Sequence, residues 1–147
     1  MECEVALVNS NNEDIKRYFE NTKTIAILGL SPNSEKDSHR VALYLQEAGY
    51  KIVPVYPKED TILGEKVYKD LADIEENIDM VIVFRKPKAL DDIIKTVIQK
   101  DNIKVLWTQI GIVNNDAAQI AKDNNIEVVQ NRCAMVEHKR IFIWKKL

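Results

Sequence analysis

The sequence predicts an α/β fold with a doubly wound parallel sheet. Five short, β-branched runs are apolar almost throughout, as strands covered on both faces should be. The longer segments between them repeat their apolar residues at the spacing of one helix face. With 147 residues and 46% apolar side chains, the chain can bury one core without disulfide or metal staples. A single domain over residues 1–147 is expected, with its working core at about 12–140.

A first helix is expected over Asn12 to Asn21, before the first strand, TIAILG, at Thr24 to Gly29. Ser38 can cap a helix at about His39 to Ala48, which places Val41, Leu45 and Ala48 on one face and stops at Gly49. KIVPVY, at Lys51 to Tyr56, is the second strand. LGEKVYKDLADIEENID follows as a loop with a short helix, the least regular connection in the chain. The third strand, DMVIVF, covers Asp79 to Phe84, and a helix from Ala89 to Gln99 turns Leu90, Ile93, Ile94, Val97 and Ile98 inward. KVLWTQ, at Lys104 to Gln109, is the fourth strand. Asn114 or Asn115 caps a helix through Ala117, Ala118 and Ala121, and EVVQ, at Glu127 to Gln130, is the fifth strand. In the tail RIFIWKKL, Ile141, Ile143 and Leu147 alternate with Phe142 and Trp144, leaving apolar surface that must cover the sheet or a second copy in a homodimer. Right-handed crossovers favour the strand order 3-2-1-4-5, with ligands at the carboxyl ends of the strands.

A formal net charge of -2 gives no general affinity for polyanions, so nucleic acid is not an expected partner. The N-terminus has no basic head followed by an apolar run, and no stretch reaches the roughly 18 apolar residues that span a bilayer, so a cytoplasmic protein without a membrane partner is expected. Cys3 and Cys133 form no metal-type spacing with His39 or His138, and no metal site is expected.

Chemistry enters at the loop after the first strand. The nicotinamide-binding fingerprint needs three glycines, for turning, for approach to the pyrophosphate and for helix packing. At that spacing the chain has Gly29, Ser31 and Ser34, so only the first glycine remains. Serine hydroxyls donate to phosphate oxygens but hold them farther from the main chain. Lys36, His39 and Arg40 stand near the start of the following helix, whose dipole favours an anion. After the second strand, where an acid normally meets a free ribose 2′-hydroxyl, the chain has Tyr56, Pro57 and Lys58. A lysine there favours a phosphorylated ribose, and NADP and coenzyme A both qualify. A glycine after a first strand is by itself as often a mere turn.

Five segments change the balance: GLSPNSEKDSHRVALYLQEAGY, VPVYP, LGEKVYKDLADI, DMVIVFRKP, and VLWTQIGIVNNDAAQIA followed by VVQNRCAMVEH. In this order the chain resembles the small single-domain CoA-binding proteins. Their Rossmann-like fold is similar to the N-terminal CoA-binding domain of the succinyl-CoA synthetase α subunit. The resemblance covers about Asn12 to Arg140 and implies coenzyme A, free or acylated, held across the strand ends by a non-catalytic module, carrier or sensor. It assigns Gly29, Ser31, Asn33, Ser34 and Arg40 to the diphosphate, and Val55, Tyr56, Pro57 and Lys58 to the adenosine and its 3′-phosphate. Phe84, Arg85 and Pro87 would line the adenine side or the path of the pantetheine arm; Trp107, Thr108, Gln109 and Gly111 would border that arm. Read from the residues alone, Arg85 is a ligand cation, whereas Trp107 reads as core because a large aromatic more often packs than binds.

No catalytic constellation is apparent. Gly29 and Ser31 do not extend to a nucleophile elbow, because Asn33 stands in the last glycine place. The resembled α subunit carries its phosphorylated histidine in a second domain, for which this chain has no room. Cys133 lies at the ligand edge and can in principle form a mixed disulfide with a bound thiol, with Arg132 beside it, although an isolated cysteine is more often buried and inert. Glu137, His138 and Lys139 read as a solvated helix turn. Two other functions fit: an NADP-dependent oxidoreductase, and a subunit lending a coenzyme A pocket to a separate acyl-CoA ligase.

Overall fold

The computed structural model describes residues 5–144; Cys3 and Leu147 lie outside them. Strands β1 (Thr24–Leu28), β2 (Lys51–Val55), β5 (Met80–Val83), β6 (Val105–Thr108) and β7 (Glu127–Val129) form a parallel sheet in the order β2-β1-β5-β6-β7. Between β2 and β5, the short strands β3 (Thr61–Ile62) and β4 (Glu65–Lys66) form a hairpin, followed by one 3-10 turn at Leu71–Asp73.

Helices α1 (Asn12–Asn21), α2 (Asp37–Glu47) and α5 (Ala134–Phe142) cover one face of the sheet; α3 (Leu90–Gln99) and α4 (Asn115–Asp123) cover the other. The strands' period of two divides the core between these layers. Ile25, Ile27, Ile82 and Trp107 face α1, α2 and α5, whereas Ala26, Leu28, Val81 and Leu106 face α3 and α4. This is the expected doubly wound, Rossmann-like α/β architecture.

The sheet order departs from expectation at one strand. Counting only the parallel strands it is 2-1-3-4-5, with the third strand beside the first instead of beyond the second. The outer edge of β2 is already occupied: Tyr68 bridges to Val55, its N–H donating to Pro54 O at 3.0 Å and its carbonyl accepting from Tyr56 N–H at 3.0 Å. Pro54 is the sequence signal for this, because a proline has no N–H for a ladder and belongs on an edge strand.

Four local details differ from the sequence expectation. Helix α2 begins at Asp37, before Ser38, whose buried hydroxyl accepts the Ser31 N–H at 3.0 Å instead of capping the helix. Ala42, not Ala48, completes its buried face, and Ile98 of α3 remains 37% exposed. The tail up to Phe142 is helical, not an alternating strip.

Glu137 and His138 are buried, not solvated. Arg140 Nη1 donates to both Glu137 carboxylate oxygens at 3.0 Å, and Arg132 approaches the same carboxylate at 3.8 Å. His138 packs among Phe19, Tyr44, Tyr50 and Phe142, with its Nδ1 2.7 Å from the Tyr44 hydroxyl.

Burial lowers the His138 pKa below its ordinary 6.5. The unfolded chain therefore takes up this proton first. The associated stability is fully present above about pH 6.5 and is lost as pH falls through the folded-state value. Urea unfolding at pH 7.5 and 5.5 is expected to show lower stability at the acid pH. The part of that loss absent from His138→Gln measures the histidine, and an identical pH response in both proteins would contradict this assignment.

Candidate functional site

In a sheet of this order the chain leaves β1 toward β2 on one side and returns to β5 on the other, which opens a crevice at the carboxyl ends of β1 and β5. Three backbone bonds hold its floor. Phe84 N–H donates to Leu28 O at 2.8 Å, Gly29 N–H to Val55 O at 2.9 Å and Gln109 N–H to Val83 O at 3.4 Å. Gly29 turns here with φ +86°, and a Cβ on it would lie 2.6 Å from Phe84 O. Only glycine permits both that dihedral and that approach.

Two hollows flank the crevice, and Arg85 lines both. The larger, about 490 Å³, lies on the α2 and α5 side, where Arg40, Phe84, Lys86, Gln109, Cys133 and Met135 are among its walls. The smaller, about 230 Å³, lies on the α3 side against Leu28, Val55, Lys69, Leu71 and Ile93. Among the described residues, neither Arg85 nor Lys86 is in an ion pair, although Asp37 lines the larger hollow with them and Asp70 and Asp92 line the smaller one with Arg85. Arg40 is less available: its guanidinium donates to Glu35 O at 2.8 Å and pairs with Asp37.

The loop between β1 and α2 is held by its own polar groups. Ser31 Oγ accepts from Asn33 N–H at 3.1 Å, Asn33 Oδ1 accepts from Glu35 N–H at 2.9 Å, and His39 Nδ1 lies 2.8 Å from Ser31 O. Because that oxygen is a carbonyl, the imidazole donates from Nδ1. Lys36 at the N-cap of α2 makes no side-chain cap bond, so the Asp37 and Ser38 N–H groups can meet an anion, while the His39 N–H donates to Lys36 O at 3.1 Å. Asn33 and Ser34 are exposed on this loop.

The other expected residues divide. Phe84, Arg85 and Gln109 meet in the larger hollow, with Arg40 at its wall, and Val55 joins Arg85 in the smaller one. Tyr56, Pro57 and Lys58 form a turn lining neither hollow; Pro57 and Lys58 are exposed. Pro87 starts a 3-10 turn, and its carbonyl accepts from Asn114 Nδ2 at 2.9 Å.

Thr108 lines neither hollow, because its buried hydroxyl donates to Ile112 O at 2.6 Å and accepts from Asn131 N–H at 3.2 Å. Gly111 donates its N–H to Asn131 Oδ1 at 2.7 Å. Trp107 is core, fully buried, with Nε1 donating to Arg132 O at 2.8 Å.

Reading the sequence missed the apolar wall from Val41, Ile110, Ile112, Met135 and Val136. Met135 and Val136 open α5, and no capping side chain announces that helix: Cys133 stands at its N-cap. Gln109 is the most unusual member. The residue is 5% exposed, and among the described residues its Nε2 has no hydrogen-bond partner. Among the described residues no cluster of His, Cys, Asp or Glu is placed to hold a metal, and no helix is long and apolar enough to cross a membrane.

Comparison with known proteins shows the family. The chain is 36% identical over 130 residues to YneT, an uncharacterized protein of Bacillus subtilis (strain 168), spanning 88% of this chain and 96% of that one. A hypothetical protein from Pyrococcus horikoshii OT3 superposes with a TM-score of 0.86 at 37% identity, over 96% of this chain and 99% of its own. An ADP-forming acetate–CoA ligase of Methanocaldococcus jannaschii is 28% identical over 132 residues, which is 85% of this chain but 19% of the ligase. The CoA binding domain model matches residues 23–139, and the chain therefore belongs to the CoA-binding domain family.

Proposed function

We propose that the chain binds coenzyme A, or an acyl-coenzyme A, in the crevice at the ends of β1 and β5, as a non-catalytic cytoplasmic carrier or sensor. The observation that carries this reading is the convergence on one crevice of the Gly29 turn, the uncapped start of α2 and the unpaired cations Arg85 and Lys86. A diphosphate needs that combination: close backbone approach, N–H donors and positive charge that is not tied up in an ion pair.

Hollows of about 490 and 230 Å³ on either side of Arg85 suit a ligand with two long ends, and the larger is within the usual range for small-molecule sites. We assign the smaller hollow, with Val55, to the adenosine, and the larger, with Phe84 and Gln109, to the pantetheine arm. Gly29, Ser31, Asn33, Ser34 and Arg40 then meet the diphosphate. The exposed turn of Tyr56, Pro57 and Lys58 reaches the ribose 3′-phosphate, and Pro87 and Gly111 shape the rims. Thr108 acts only by holding the loop at Ile112 and Asn131 in place.

Calorimetric titration with coenzyme A, dephospho-coenzyme A, NADP and NAD tests this. Coenzyme A should bind most tightly, and tighter binding of NAD would overturn the reading. Arg85→Ala is expected to weaken coenzyme A by about 1.5–3 kcal/mol, the usual worth of a charge-assisted hydrogen bond. Lys58→Ala should weaken coenzyme A but spare dephospho-coenzyme A, and equal losses would remove Lys58 from the 3′-phosphate. The match to part of an acetate–CoA ligase favours one second reading, a coenzyme A pocket lent to a separate ligase chain. A stable hetero-complex in a pull-down would support that second reading, and its absence would leave the free-standing carrier.

A further inference from the structure

We propose that Cys133 is a thiol–disulfide exchange site that captures the thiol end of the crevice's ligand as a mixed disulfide, with Gln109 holding the adjoining amide. The proposal rests on the coenzyme A reading for its ligand class. Cys133 is a free, half-buried thiol that lines the larger hollow together with Arg85, Lys86 and Gln109. Its main chain is fixed on both sides. Arg132 O accepts from Trp107 Nε1, Arg132 N–H donates to Thr108 O at 3.3 Å, and Cys133 O accepts from Glu137 N–H at 3.0 Å in the first turn of α5. Cys133 is therefore held at the wall of the hollow by a fixed main chain.

Gln109 supplies the independent sign that a ligand belongs beside it. A buried amide donor without an acceptor is destabilising, and an acceptor brought by a ligand in the hollow that Gln109 lines would complete it. A ligand arm bearing amide carbonyls and ending in sulfur satisfies both residues at once. One carbonyl accepts from Gln109 Nε2, and the sulfur comes to the wall that carries Cys133. Binding raises the local concentration of the incoming sulfur at Sγ, so selectivity comes from the arm.

The step is a displacement at sulfur. The Cys133 thiolate attacks one sulfur of a ligand disulfide, a new Sγ–S bond forms as the ligand S–S bond breaks, and the departing thiolate takes a proton from water. The ligand disulfide is the oxidant, and no other redox partner is needed. A small thiol reverses the step and releases the captured ligand reduced.

The reduced full-length chain, incubated separately with coenzyme A disulfide, pantethine and glutathione disulfide, is followed by intact mass and peptide mapping. Coenzyme A disulfide and pantethine are expected to label Cys133 at least tenfold faster than glutathione disulfide, reversibly with dithiothreitol, in the wild type and in Cys3→Ser but not in Cys133→Ser. Gln109→Met should slow pantethine labelling roughly tenfold and leave glutathione labelling unchanged, as loss of one hydrogen bond to the arm predicts. Equal rates for all three disulfides, labelling of Cys3 alone, or no labelling would overturn the proposal. Calorimetry on Cys133→Ser keeps the two readings apart. Reversible coenzyme A binding without wild-type labelling ends only the exchange proposal. Pantethine labelling without coenzyme A binding sustains the exchange site and ends the coenzyme A reading.

Discussion

Gly29→Ala is expected to destabilise the fold by about 2–5 kcal/mol and to abolish coenzyme A binding even in molecules that remain folded. Two costs add. The residue sits at φ +86°, where an L side chain costs about 1–2 kcal/mol, and overpacking a tight contact typically costs about 1–3 kcal/mol more. The contact is unusually hard, since the added Cβ would stand 2.6 Å from a backbone oxygen, Phe84 O, and 3.2 Å from Arg85 Cδ. A backbone atom cannot swing aside as a side-chain tip can, so the ends of β1 and β5 must part. Those two ends carry the proposed diphosphate site and Arg85, so binding fails together with stability. Urea unfolding and calorimetry would measure both, and a variant of near-normal stability that still bound coenzyme A would show that the close approach is not needed.

Trp107→Ala is expected to cost about 3–5 kcal/mol, the usual range for deleting a buried aromatic. The ring is fully buried, 5.3 Å from the Phe19 ring, and its Nε1 donates to Arg132 O. The substitution opens a cavity and also leaves that carbonyl unpaired. Trp107→Phe separates these effects, since it retains most of the packing and loses the hydrogen bond, for an expected cost of about 1–3 kcal/mol. Because Trp107 anchors the loop that presents Cys133, both variants should also slow capture by coenzyme A disulfide. A change in stability below about 1 kcal/mol for the alanine variant would be incompatible with the packing described, as core deletions of this size do not fall so low.

Much of the fold is legible in the sequence. The five strands read as continuous apolar runs because both of their faces are covered, and Asn114 announced α4 by a cap that its side chain does make, accepting from Ala117 N–H at 3.0 Å. The order of the strands was not read from the sequence; the signal passed over was Pro54, whose missing N–H marks an edge. Within the candidate site, Gly29 stood out from its loop, and Arg85 from its charge beside a strand end. The apolar wall of α5 did not stand out, because Ala134–Phe142 is a short helix without a capping side chain and mixes charged with apolar residues. The resemblance put Thr108 beside the ligand arm, yet its hydroxyl is occupied within its own loop.

The sequence by itself determined the five parallel strands, the helices α1 to α4 and the glycine turn at Gly29, because each depends on a local period or a local dihedral. The tertiary structure alone decided that the two hollows share Arg85, that Gln109 is left without a partner, and that Glu137 and His138 are buried. His138 meets the Tyr44 hydroxyl across 94 residues of chain. No periodicity encodes such a contact; it exists because α2 and α5 pack on the same face of a sheet that positions both.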